Sequence, residues 1–331
     1  MSRRGVLVAT AAAATAGAAV VVASRLNPRP AAAVIRAAFE RGGAHRHRAL
    51  EVGRPDQVVV RTRAYRDDLL LDVHVPRDAT GPLPTVVWTH GGGGLSGSRT
   101  DDAGWFARLA AEGFAVVAMD YRLAPGSVYP AALHDVCDAI GFVVAHADDL
   151  GVDPARVVLG GDSAGAQMTA QLAVAATSPA YAARLGIAPP LSVGQVRGVV
   201  LACGYYDIDA YRGMATALPL PLRWGAATIL WALTGSRDPD AGLVDVLSAG
   251  RHVTADFPPT VLLGGNADPL TDSQSRPMAD HLRRLGVDVT AIFYEPDHEP
   301  KLPHEYQFDL SLAEAREAFG VVVEFVRRVT G

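Results

Sequence analysis

The sequence is poor in the groups that build cross-links and metal cages. Its 331 residues include two cysteines, Cys137 and Cys203. That number excludes a disulfide framework and a paired-cysteine metal site, and both thiols are expected to be buried. Lysine is nearly absent: Lys301 is the only one, and arginine supplies the remaining positive charge. We read this as a bias of composition and attach no function to it. No large excess of either sign marks the whole chain, at a net −5, but the balance is uneven. Residues 1–66 hold 12 arginines against Glu40, Glu51 and Asp56, a net +9, and the remainder carries −14. Such an acidic body lacks the basic footprint that general nucleic-acid binding needs. With 49% hydrophobic and 20% charged residues, the chain is not disordered as a whole. Internal repeats are lacking too.

What is present begins with an uncharged, Ala- and Val-rich run over 5–24, flanked by Arg3, Arg4 and Arg25. As a helix it would reach about 30 Å, enough to cross a hydrocarbon core. The pair Arg3-Arg4 also has the look of a twin-arginine export signal. Residues 1–30 therefore read as a signal or membrane anchor, with an Ala-rich helix packed on the body as the third reading. The first two place the protein in the cell envelope, anchored or exported; a cytoplasmic location stays open.

From residue 57 onward, short β-branched runs alternate with helical patterns. Strands are predicted at 57–66, 69–76, 85–90, 115–121, 156–160, 196–202, 260–264 and 287–294. Helices are predicted at 100–113, 129–151, 164–177, 272–285 and 312–329. That alternation implies an α/β fold, a mainly parallel sheet covered on both faces. Residues 204–257 break the rhythm and read as an insertion folded over the sheet edge.

Gly161-Asp162-Ser163-Ala164-Gly165 falls between a predicted strand and a predicted helix. In that context G-x-S-x-G forms a sharp turn that exposes the serine at a strand's carboxyl end. Ser163 is thus the candidate nucleophile. His90-Gly91-Gly92-Gly93-Gly94 ends another strand, and its glycines can turn N–H groups into a cavity. With the amide of Ala164, such donors can hold an oxyanion. A phosphate-binding loop is disfavoured, because no Lys-Ser/Thr pair follows. A serine nucleophile needs a base and an orienting acid, in the order Ser, Asp or Glu, His. Asp268 follows the strand 260–264; Asp272 competes but stands where a helix begins and suits an N-cap. For the base, His298 and His304 lie on the same loop, and spacing favours neither. His281 reads as an exposed helix residue, and the upstream histidines do not follow the acid.

Together, His90-Gly91-Gly92-Gly93, Asp120-Tyr121-Arg122-Leu123-Ala124-Pro125, the Ser163 pentapeptide, Asp268-Pro269-Leu270 and the final His loop resemble the hormone-sensitive-lipase-like family of α/β-hydrolases. The resemblance runs over residues 83–330. It implies an α/β-hydrolase fold with a helical cap and a carboxylesterase acting on short- to medium-chain esters. It implies no metal and no cofactor. By the family's pattern Ser163 is the nucleophile, Asp268 the acid, and Gly92, Gly93 and Ala164 the oxyanion donors. The family's His precedes a small or variable residue and an aromatic, which His304-Glu305-Tyr306 fits better than His298. The cap counterparts are 31–56 and 204–257, leaving 57–331 as the catalytic domain. Leu218, Leu222, Trp224 and Trp231 are candidates for the acyl pocket, with cap packing as their alternative. Gly94 replaces a bulkier residue common in the family and is expected to widen the acyl side. An amidase, a lactonase or a non-catalytic binding protein on the same scaffold are the rival readings.

Overall fold

The computed structural model of the chain describes residues 26–331. The run read as a signal or anchor lies outside them. Among the described residues, no helix is long and apolar enough to cross a membrane.

Eight strands form one sheet: β1 (Val58–Arg66), β2 (Leu69–Pro76), β3 (Leu83–Thr89), β4 (Ala115–Met119), β5 (Val152–Asp162), β6 (Val196–Ala202), β7 (Thr260–Gly264) and β8 (Val289–Phe293). Their order is β1-β2-β4-β3-β5-β6-β7-β8. The hairpin β1–β2 joins β4 antiparallel, and every later pairing is parallel. The inner strands are short, continuous apolar runs because both faces are covered. Successive side chains alternate between two cores. Val86, Trp88, Val116, Ala118 and Val158 meet Trp105, Phe106, Phe325 and Val326 on one face. Val87, Val117, Met119, Val157 and Leu159 meet Leu133, Ile140 and Leu172 on the other. A one-residue slip of any inner strand would exchange those faces, so the register is tightly specified.

The helices are α1 (Arg29–Glu51), α2 (Ala103–Ala111), α3 (Ala131–Ala145), α4 (Ala147–Leu150), α5 (Ala164–Thr177), α6 (Pro179–Leu185), α7 (Ile208–Ala217), α8 (Leu220–Thr234), α9 (Ala241–Leu247), α10 (Arg276–Arg284) and α11 (Ala313–Thr330). α2 and α11 cover one face of the sheet. α3, α5, α6 and α10 cover the other. α1 and α8 pack on each other, as do α7 and α8. Ala32 and Ile35 of α1 meet Ile229 and Ala232 of α8 above Leu95 and Ala124. Tyr211 and Met214 of α7 join Leu230 of α8 over Tyr205 and Leu270. This helical layer is assembled from α1, which precedes the sheet, and from α7 and α8, which lie between β6 and β7.

Three elements differ from their sequence signals. The long helical period over 129–151 is divided at His146, which leaves the helical region at φ −116°. There its ring stacks on Phe142 at 4.0 Å and Nδ1 bonds the Phe142 carbonyl at 2.8 Å. Asp153-Pro154 lies inside β5, tolerated because pairing with β3 is irregular between Leu83 and Thr85. α6 was not anticipated, although its marks are local: the Ser178 side chain accepts from the Tyr181 amide, Pro179 opens the helix and Gly186 closes it at φ +66°.

Candidate active site

Ser163 stands between the end of β5 and the start of α5, in the middle of the sheet. Its backbone is forced to φ +50° and ψ −117°, a conformation a non-glycine residue keeps only when its surroundings impose it. Here they do. The Ser163 amide donates to the Ala202 carbonyl at 2.8 Å, and its own carbonyl accepts from Gln167 at 3.2 Å. Two residues on, a side chain on Gly165 would place its Cβ 2.0 Å from the Thr89 carbonyl oxygen. Only glycine lets α5 lie so close to the end of β3.

Asp268 follows β7 and is buried, with Oδ1 accepting the Leu270 amide at 2.9 Å. Its Oδ2 accepts from His304 Nδ1 at 2.8 Å, and His304 Nε2 faces Ser163 Oγ at 3.0 Å. The structure thus brings together Ser163, Asp268 and His304. His298 does not join them: its Nε2 pairs with Glu314 Oε1 at 2.9 Å, and its ring lies against Tyr294. Asp272 is exposed and paired with Arg276 at 3.0 Å. It sits inside a turn of π-helix over Thr271–Ser275 rather than capping a helix, because that wide turn precedes α10.

The long loop before His304 is held by Asn266, which sequence reasoning passed over. Asn266 Nδ2 donates to the carbonyls of Glu295 at 3.1 Å and His298 at 2.9 Å, while Oδ1 accepts the Leu302 amide at 2.9 Å. The Ala267 amide completes the clasp on the Leu302 carbonyl. One polar residue beside the acid thereby fixes the loop that carries the imidazole.

Burial alone would lower the basicity of His304. The Cys203 sulfur and the Asp268 carboxylate beside it outweigh burial and hold it well above the ordinary imidazole value. Burial also pushes the Cys203 thiol up, so the sulfur is uncharged near neutrality and Asp268 carries most of the effect. Both cysteines are buried, as their number suggested. The placement of Cys203 beside the imidazole had no signal in the sequence.

Gly92, Gly93 and Gly94 all have left-handed φ, at +95°, +64° and +66°. Gly92 and Gly93 line the cavity that contains Ser163 and His304, and Ala164 follows the serine at the first turn of α5. Gly94 faces elsewhere: a Cβ there would lie 3.0 Å from Leu233 Cδ1 of α8. The absent side chain is replaced by Leu233, so Gly94 does not widen the cavity. His90 is buried, stacked 4.1 Å from Tyr121, and positions the loop through its bond to the Gly91 carbonyl.

The cavity measures about 620 Å³, and its wall is mainly apolar. Leu218, Leu222 and Trp224 line it, together with Phe39 of α1 and Ile229 of α8. Trp231 is not among its lining residues. The helical period turns it away, and its ring lies 4.0 Å below the Arg237 guanidinium. Cys203, Asp268 and His304 are the group of metal-ligand types found among the described residues. Asp268 and His304 are accounted for by the hydrogen-bonded chain to Ser163.

A family profile described as alpha/beta hydrolase fold matches residues 86–305, and the chain belongs to that family. Carboxylesterase NlhH of Mycobacterium tuberculosis is 31% identical over 256 residues, covering 76% of each chain. The esterase of Pyrobaculum calidifontis superposes with a TM-score of 0.73 at 26% identity, over 92% of this chain and 96% of that one. Esterase B of Lactobacillus rhamnosis shares the fold, with a TM-score of 0.77 at 24% identity over 90% and 94%.

Proposed function

We propose that the protein is a serine carboxylesterase. Carboxylic ester hydrolysis is the activity its relatives are named for. One observation carries the mechanism: an unbroken chain from Asp268 through His304 to Ser163 Oγ, with contacts of 2.8 and 3.0 Å, at the base of an apolar cavity. His304 takes the Ser163 proton as Oγ attacks the ester carbonyl, and Asp268 holds the tautomer and stabilises the imidazolium. The amides of Gly92, Gly93 and Ala164 bind the oxyanion, each worth about 10²–10³ in turnover. His304 then protonates the leaving alcohol, and water hydrolyses the acyl-enzyme by the same steps in reverse order.

The segments 31–56 and 204–257 act as a cap, and their apolar wall favours short- to medium-chain acyl groups. The substrate is a small-molecule ester. Residues 1–30 would address the chain to the cell envelope, on the strength of Arg3-Arg4 and the uncharged run; recovery of a full-length protein in the cytosolic fraction alone would contradict this. The function is tested with wild type and Ser163→Ala on acetate-to-decanoate esters, amides and lactones. Ester turnover that depends on Ser163 and falls beyond medium chains supports the reading, and faster amide or lactone turnover would replace it.

A further inference from the structure

The residue that follows His304 is a glutamate. The backbone of Glu305 adopts φ +62° and ψ +28°, the left-handed region that favours glycine. A glutamate keeps such a conformation only when its surroundings impose it. The Glu305 side chain forms an ion pair with Arg46 of α1. The same guanidinium stands 2.7 Å from Asp102 Oδ1 and lies over the Phe308 ring at 5.0 Å. Arg46 therefore grips the segment that follows the imidazole from above, out of the helical layer.

The charge matters as much as the grip. Glu305 Oε1 lies 3.9 Å from His304 Nε2, the nitrogen that faces Ser163. An uncompensated carboxylate at that distance would favour the imidazolium and withdraw the neutral base from use. Other groups face the pair as well. Around His304 stand Asp268, Ser163, Cys203 and Tyr211. Around Glu305 stand Arg46, Asp102, Asp162 and the buried, neutral His90. Asp162 Oδ2 and Glu305 Oε1 converge on Gly91: a Cβ there would lie 2.2 Å from the first and 2.9 Å from the second. Burial opposes a charge on Glu305, but Arg46 and then His304 bring its carboxyl down to about 2. Burial, Glu305 and Asp102 push the Asp162 carboxyl well above the carboxylate range. Near neutrality Glu305 places a negative charge on the Nε2 side of the imidazole, opposite Asp268, and Arg46 is its counterion.

We propose that Arg46 is a positioning residue of the reaction, tying the helical layer to the loop of the base and offsetting the Glu305 charge beside His304, so that the docking of α1 sets the acidic limb of activity. This rests on the assignment of His304 as the base. The test is the pH profile of kcat/KM on a soluble short-chain ester for wild type, Arg46→Gln, Arg46→Lys, Glu305→Gln and Glu305→Gly. Ser163 labelling by a fluorophosphonate is measured in parallel. Arg46→Gln should move the acidic limb upward by about half a pH unit or more and lower kcat several-fold with KM within twofold. Arg46→Lys should return most of both. Glu305→Gln should move the limb downward, and so should Glu305→Gly, which also removes the left-handed strain and so keeps the test valid if another variant folds poorly. Limbs that stay within about 0.2 of wild type in Arg46→Gln and both Glu305 variants overturn the proposal. Failure of wild type to label at Ser163 would instead reject the triad on which it rests, so the two failures are told apart.

Discussion

Ser163, Asp268 and His304 stand on connections at the ends of β5, β7 and β8, whereas the wall that would meet the rest of an ester stands on α1, α7 and α8. The first region is built by close approach: α5 nearly touches β3 at Gly165, and Asn266 clasps the His304 loop. The second is attached by long side chains. Arg36 reaches from α1 to the carbonyls of Leu95 at 2.5 Å and Ala124 at 3.0 Å, and Arg46 reaches the carboxylates below. Its apolar residues are only partly covered, Leu222 being 60% exposed and Phe39 41%. Reacting atoms need placement to within about half an ångström, which packed strand ends supply. Binding an acyl chain needs only apolar area, which a looser layer supplies by burying it when substrate arrives. The two regions should therefore fail in different ways.

Removing a reacting group should have the largest effect. Ser163→Ala and His304→Ala should each lower kcat by about 10⁴-fold or more, while His298→Gln changes it less than about threefold. Lost turnover in the His298 variant with His304→Ala active, in steady-state assays, would move the base to the other side of the loop. Next comes Gly165→Ala, whose Cβ has no room against the Thr89 carbonyl. It should destabilise the fold by about 3 kcal/mol or more, read as a lower urea midpoint. A midpoint close to wild type would mean the sheet is looser than its packing implies.

The dry interior of the sheet has a pH signature of its own. His74 of β2 is buried against Phe106, and burial lowers its basicity to about 4. The unfolded chain takes up this proton as pH falls below about 6.5, and the fold resists until about 4, so stability is lost across that window. His74→Leu should remove this loss, amounting to about 2–3 kcal/mol of relative stability at pH 4. Parallel stability curves for the two proteins between pH 7 and 4 would contradict the assignment. The smallest effect belongs to the helical layer. Leu222→Ala should raise KM for a hexanoate ester about 4–15-fold, the worth of one or two methylenes, while sparing acetate and the melting temperature. A loss of kcat on both esters would erase the distinction between the regions.

The sheet was legible because its strands are continuous apolar runs between turn-forming residues, and 196–202 and 260–264 match their predicted bounds to the residue. Motif and chain order point to Ser163 and Asp268, whereas His304 is singled out from His298 only by the family's pattern. Their meeting at hydrogen-bonding distance is a fact of the fold that no spacing contains. Where the reading missed, tertiary contact decided. Gly94 is filled by Leu233, Trp231 points away from the cavity, and Arg46 meets Glu305 from 259 positions earlier in the chain. Local pattern holds no trace of a partner so distant.

In the proposed mechanism one serine, activated by one histidine, forms the acyl-enzyme. This is tested most directly by treating the intact protein with a fluorophosphonate and mapping the modified peptide by mass spectrometry. One adduct is expected, on Ser163, formed within minutes in wild type and far more slowly in His304→Ala. An adduct on another residue, or labelling of wild type no faster than of His304→Ala, would contradict it.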